Sequence, residues 1–128
     1  MDVALFDLAS RRMEWLAQDQ RVVAENVANS DTPGFKARRI EDFAAVLSNA
    51  APSGPATTDA AHIPGLGGAG SARVSEDPAA WATTLDGNSV VLEQQAIRSA
   101  QIDGAYGLAA TLYKKGHDFI RLAAAGNL

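Results

Sequence analysis

Seven positions near the start of the chain, Phe6, Ala9, Met13, Leu16, Gln20, Val23 and Val27, follow one another at intervals of 3, 4, 3, 4, 3 and 4 residues. That alternation is the seam of a helix that packs against another helix. Gln20 is its one polar member, and a polar residue in such a seam fixes register at some cost in stability. Arg11, Arg12, Asp19 and Glu25 lie off the seam. The spacing predicts a helix over 3–29. Trp15 sits one position before the seam, which places it at a helix–helix margin.

The pattern then stops within a few residues, at "NSDTPGF". Thr32 precedes proline and is pushed away from the helical region. Pro33 has no N–H with which to continue the ladder. Gly34 takes without strain the positive φ that a type II turn needs after proline. Asn29 and Asp31 favour local turn bonds. Phe35 follows as an apolar anchor able to fold back onto the helix end. Beyond Lys36-Ala37-Arg38-Arg39, the positions Ile40, Phe43, Ala44 and Leu47 suit one or two further helical turns.

From Ser48 to Ala80 periodicity disappears. The stretch holds four of the five prolines and five of the eleven glycines. It is too long and too rich in both for a routine connection, so it reads as an extended crossing, tacked down by Ile63, Leu66 and Trp81. A second helix is expected over 89–125. Asp86, Asn88 and Ser89 are N-cap residue types and Glu93 suits the dipole of a first turn, so Asp86, Gly87 and Asn88 are expected to cap it. Leu92, Ala96, Ser99, Asp103, Tyr106, Ala109, Tyr113, Gly116 and Ile120 form one row. Ala105, Leu108, Leu112, Phe119 and Leu122 form a neighbouring one. Lys114, Lys115 and Arg121 complement the negative end of the helix dipole.

Two long helices with matching rows should pair antiparallel. The expected fold is all-α: two terminal helices in a coiled-coil-like hairpin, joined by a short amphipathic helix and an irregular Ala/Gly/Pro-rich linker. Such a hairpin leaves much of the second row of helix two facing water. Gly104, Gly107 and Gly116 also interrupt that helix, at about 1 kcal/mol each relative to alanine. A chain built this way completes its packing against other copies or partners.

A net charge of −4 argues against a nucleic-acid binder, which shows a basic patch or stripe. With no cysteine, disulfides and thiolate metal sites are excluded. His62 and His117, with Asp59 and Asp118 as neighbouring carboxylates, do not make a three-ligand metal site or a triad. "GLGGAG", Gly65–Gly70, lacks the lysine and hydroxyl residue that end a phosphate loop. No catalytic, cofactor-binding or metal residue is therefore expected, and the chain is not read as an enzyme. The N-terminus lacks a basic segment followed by an apolar one, so the expectation is export without a cleaved signal peptide, or retention in the cytosol.

The stretch Asn26–Ala37, "NVANSDTPGFKA", resembles the signature shared by the bacterial flagellar rod and hook proteins, in which an N-terminal helix ends in Asn-apolar-Ala-Asn before Thr-Pro-Gly-aromatic. "DAAHIPG", Asp59–Gly65, and "DGNSVVLEQQ", Asp86–Gln95, narrow the resemblance to the FlgB type of proximal rod protein, whose C-terminal helix also ends in a form like "AAAGNL". The likeness spans the whole chain, weakly through Ser48–Trp81. Distal rod and hook proteins insert β-rich domains between their terminal helices, for which this linker has no room. Val91 and Gln95 stand where the family favours acids.

The resemblance implies a structural subunit of the bacterial flagellar basal-body rod. Such subunits polymerise through their terminal helices into the tubular drive shaft and export channel. It divides the chain into an N-terminal helix of the rod core (1–31), a corner and short helix (32–47), a linker (48–87) and a C-terminal helix of the rod core (88–128). Asn26, Ala28, Asn29, Thr32, Pro33, Gly34 and Phe35 become an assembly motif. Phe6, Met13, Leu16, Val23, Val27, Leu92, Tyr106, Leu108, Leu112, Phe119 and Leu122 become helix-packing residues. Implied partners are other copies of the chain, other flagellar rod proteins, the adaptor protein FliE, and the MS-ring protein and type III export gate at the rod base. The implied location is the periplasmic rod. A helical-hairpin adaptor that forms a small heterodimer is the alternative.

Overall fold

The computed structural model describes residues 3–49 and 72–126. Helix α1 spans Val3–Ala28, strand β1 Arg38–Ile40, helix α2 Phe43–Asn49, strand β2 Val74–Glu76 and helix α3 Leu92–Ala124. Mostly helical, with its two long helices packed together, the chain has the expected architecture.

The pairing of α1 and α3 is antiparallel. The Phe6 ring meets Gly116 near one end, Gln20 bonds to Ser99 midway, and Asn26 bonds to Gln95 at the other. Leu16, Val23 and Ile102 form the buried apolar cluster, with Trp15 and Ala105 packed against it. Ala9 and Ala109 are also buried. Between these apolar layers the seam is polar. Gln20 Nε2 donates to Ser99 Oγ at 3.2 Å. Arg98 pairs with the nearly buried Asp19 at 2.6 Å. Gln20 on the seam and Asp19 beside it therefore fix the register of helices that the apolar layers hold together.

The second layer was not expected. β1 and β2 form a two-stranded antiparallel ribbon with Arg39 opposite Ser75, so the segment read as linker contains a strand, and Ile40 belongs to β1 rather than to the short helix. Three-residue strands are too short for the alternating apolar pattern of a strand to show in sequence. The ribbon and α2 lie on a second face of α1. Trp15 Nε1 donates to the Glu41 carbonyl at 2.8 Å, and Gln18 Nε2 to the Ala72 carbonyl at 2.9 Å. Trp15 also meets the Phe43 ring, with centroids 5.9 Å apart, and the Arg12 guanidinium lies over both rings. Trp15 is thus held by α2 as well as by the helix pair.

Trp81, expected to pin the linker, is 61% exposed; its backbone N–H is held by Gln94 Oε1 at 3.2 Å. Ile63, Leu66, His62 and the stretch "DAAHIPG" fall outside the described residues.

A candidate assembly site: a glycine corner and an uncovered helix face

The end of α1 is built from side-chain amides. Asn26, on the last turn, is completely buried. Its Oδ1 accepts from the Arg38 N–H at 2.8 Å, and its Nδ2 donates to the Arg38 carbonyl at 2.8 Å and to Gln95 Oε1 at 3.0 Å. The Asn26 amide thus pairs with Arg38 as a neighbouring strand would, closing the edge of the ribbon that β2 does not cover. Asn29 stays local: its Nδ2 donates to the Glu25 carbonyl and its Oδ1 accepts from the Thr32 hydroxyl. Ala28 ends the helix and is exposed.

Thr32, Pro33, Gly34 and Phe35 form the next turn. The Phe35 N–H reaches the Thr32 carbonyl at 3.2 Å, and Gly34 has a φ of 74°. That combination, with proline second and a left-handed glycine third, is the type II pattern. Pro33 is exposed and Phe35 half-buried.

Asp86, Gly87 and Asn88 are not the cap of the second long helix. α3 starts at Leu92, behind an N-cap Val91 that makes no side-chain cap bond. The three residues instead turn inward onto the corner. Asn88 Nδ2 donates to the carbonyls of Asn29, Ser30 and Thr32 at 2.8, 3.0 and 2.8 Å. These carbonyls lie just past the end of α1, and those of Asn29 and Thr32 also accept from the N–H groups of Thr32 and Phe35. Asn88 Oδ1 accepts from the Val90 N–H at 2.8 Å, and Val91 is extended, with φ −109° and ψ 112°. A local bond of this kind competes with helix formation, and this is why the helix begins four residues after Asn88.

Backbone completes the joint. The Gly34 N–H donates to the Asp86 carbonyl at 2.8 Å and the Ser89 N–H to the Phe35 carbonyl at 3.0 Å. Ser89 Oγ accepts from the Ala37 N–H at 2.8 Å. Ala37 has no exposed surface, so even a small addition there would have to displace a neighbour. The Asp86 carboxylate is held below its ordinary pKa, first by the Thr84 hydroxyl and then by the Asn88 N–H, both of which donate to it. Among the described residues, no buried side-chain polar atom lacks a partner.

The structure places the packing residues in two groups. Leu16 and Val23 are buried, and Phe6 and Met13 half-buried. Val27, Leu92, Tyr106, Leu108, Leu112, Phe119 and Leu122 are exposed large hydrophobics. The seam of α3 that meets α1 runs through Gln95, Ser99, Ile102, Ala109, Tyr113 and Gly116. Asp103, expected in that row, is exposed. Sequence reasoning missed Ile102 and Gln95, although Gln95, Ile102, Ala109 and Gly116 recur at intervals of seven. The row α1 selects contains the smaller residues, which let the helices approach. At Gly116 an added Cβ would lie 2.8 and 2.9 Å from Phe6 Cε1 and Cζ. His117 is exposed and lies beside the Phe6 ring, with centroids 4.5 Å apart and planes tilted by 39°. Around Gly104 and Gly107, by contrast, an added Cβ would meet nothing within 4 Å.

The family described as "Flagella basal body rod protein" matches residues 6–36, which run from the first helical turns through the corner. The flagellar basal body rod protein FlgB of Agrobacterium fabrum (strain C58) is 36% identical over 124 residues, covering 90% of this chain and 88% of the relative. The FlgB protein of Salmonella typhimurium is 32% identical over 109 residues, covering 75% of each. That of Yersinia enterocolitica is 43% identical over 56 residues, covering 38% of this chain and 40% of the relative. With a helical hairpin, a Thr-Pro-Gly corner and near-full-length similarity of this kind, the chain belongs to the FlgB family of flagellar basal body rod proteins.

Proposed function

We propose that the chain is a structural, non-enzymatic subunit of the flagellar basal-body rod. It assembles with copies of itself and with other basal-body components through its terminal helices. Family membership supports the rod assignment. The observation that carries the mode of assembly is the exposed apolar row of α3: Leu108 is 62% and Phe119 65% exposed, with Leu112 and Leu122 beside them. Full burial of one such side chain contributes about 1.5–3 kcal/mol, so a neighbouring helix over this row adds several kcal/mol that a single copy forgoes. The corner holds the hairpin in one shape while that face stays open.

On this reading the chain sits in the proximal rod, in the periplasm, and reaches it through the type III export gate without a cleaved signal peptide. The MS-ring protein and the adaptor protein FliE are its neighbours at the rod base. The unmatched helix face and the absence of a cysteine suit an exported subunit that finishes packing at its destination.

Deleting the coding sequence and purifying basal bodies tests the reading. The expected result is basal bodies without a rod, restored by a plasmid copy, with the chain present in the restored particles. An intact rod in the deletion strain would overturn it. So would a chain that copurifies with one unrelated protein as a finite heterodimer.

A further inference from the structure

The rod reading leaves open which face of one copy meets which face of the next, and the charge pattern narrows the choice. Leu108, Leu112, Lys115, Phe119 and Leu122 are spaced 4, 3, 4 and 3 residues apart, which makes them a second seam of α3 beside the one α1 covers. All five are exposed. Lys115 has no carboxylate at ion-pair distance among the described residues. A flank of α1, about a quarter turn from the seam that meets α3, carries Ser10, Glu14, Ala17 and Arg21, at intervals of 4, 3 and 4 residues. Ser10 and Ala17 are small, and Glu14 between them is exposed and lacks a cation among the described residues.

We propose that the second seam of α3 in one copy packs against the Ser10–Ala17 flank of α1 in another copy, with Glu14 of one meeting Lys115 of the other. The inference rests on the rod-subunit reading. Three arguments select this pairing. A second copy of α3 in register on the same seam would set Lys115 against Lys115, and α1 on α1 would bring Glu14 near Glu14; like charges so placed disfavour a contact. The two ends of the chain differ in charge as the pairing requires. Residues 1–31 carry three Arg against six acids, and residues 88–128 carry four Lys or Arg against three acids. Finally, small side chains at Ser10 and Ala17 let the α1 backbone approach the bulky leucines and Phe119, as knobs enter holes. The two faces are different patches on one molecule, one on a flank of α1 and the other on α3 beside the seam that α1 covers. The contact is therefore heterologous, and each added copy leaves one patch of each kind free at the ends, which is the geometry of an open assembly.

Because the chain has no native cysteine, single cysteines report contacts cleanly. Glu14→Cys and Lys115→Cys chains are coexpressed in a strain lacking the wild-type copy, and basal bodies are purified and oxidised. The expected result is a mixed 14–115 dimer at least fivefold above the dimer formed when either variant is expressed alone. A Lys115→Cys dimer of equal yield, or no dimer from cells that still swim, overturns the pairing while leaving the rod reading intact. Charge exchange reads the same contact without oxidation, should the cysteine variants fail to assemble. Lys115→Glu is expected to reduce swimming at least tenfold, and adding Glu14→Lys to the same chain to restore it. A double variant no better than Lys115→Glu alone overturns the proposal. A strain with no copy of the chain that still builds rods would instead bring down the rod reading itself.

Discussion

Gly34 and Gly87 lie face to face across the corner, both left-handed, with φ of 74° and 85°. A Cβ on Gly87 would rest 3.5 Å from the Gly34 Cα. One glycine comes from the turn that ends the first long helix and the other from the turn that precedes the second. The joint thus depends at two points on backbone that other residues adopt at a cost.

That cost gives the first prediction. A left-handed conformation costs an ordinary residue about 1–2 kcal/mol, and a β-branched one more. Gly34→Val should lower the urea midpoint of the purified chain, followed by tryptophan fluorescence, and should block rod formation more than export. Space is not the issue, because an added Cβ at Gly34 meets nothing within 4 Å. Gly34→Asn, which tolerates the left-handed region, should recover much of the loss. A Val variant as stable as wild type would show that the turn can adopt another shape.

Asn88 offers a second. Its Nδ2 serves three carbonyls; with Asn88→Ala those of Asn29 and Thr32 keep the N–H groups of Thr32 and Phe35, and that of Ser30 loses its donor. An unmet buried group costs about 1–3 kcal/mol. Asn88→Asp should be worse, because it sets a carboxylate against those carbonyls at the negative end of the α1 dipole. Amide exchange across residues 29–37 should accelerate in both variants. Equal exchange in the wild-type and Asn88→Asp chains would remove this residue from the account.

Third, the glycines of α3 should divide. Gly116→Ala drives a methyl into the Phe6 ring, and overpacking of this sort costs about 1–3 kcal/mol. Gly104→Ala and Gly107→Ala meet open space and should each stabilise the isolated chain by about 1 kcal/mol. Thermal melts by circular dichroism read all three. Gly116→Ala with Phe6→Leu should recover part of the loss, since a smaller side chain then faces the methyl.

The fourth concerns pH. The Thr84 hydroxyl and then the Asn88 N–H hold Asp86 below its ordinary value of 3.8. The charged carboxylate is thus favoured in the folded state, and its contribution is complete above about pH 4. It disappears as pH falls through the lower folded value. Asp86→Asn keeps an acceptor oxygen but cannot titrate. The wild-type advantage over this variant, read from urea midpoints, should be constant from about pH 5 to 7 and shrink between about pH 4 and 2. A constant difference down to about pH 2 would contradict the assignment.

How much of this was legible in the sequence differs by element. The heptad from Phe6 to Val27 gave α1 nearly to its ends, and Pro33-Gly34 gave the turn, because both signals are local. The partner row on α3 was ambiguous. Two adjacent rows are similarly apolar, and which one meets α1 depends on how closely the helices approach, a property of the pair. Ala109 and Gly116 were in the expected row, whereas Ile102 was in neither. The ribbon was hidden for a different reason. Arg38–Ile40 is fixed by its pairing with Val74–Glu76 on one edge and by Asn26, twelve residues from Arg38, on the other, and neither contact is local. Asp86 and Asn88 carried the right chemistry and were assigned to the wrong helix end. An Asn that caps the next helix and one that caps the previous helix through space look alike in one dimension.

The polar rungs of the hairpin have a mechanical consequence. Were α3 to slide one heptad along α1, the Asn26 amide would face Ile102 instead of Gln95, and Asp19 would face Ala105 instead of Arg98. Gln20 would lose Ser99 in the same step. Pulling the two helices lengthwise must therefore break several unlike bonds together, while the corner tethers one end. The hairpin itself therefore resists small lengthwise displacements and yields in one step once these bonds break together.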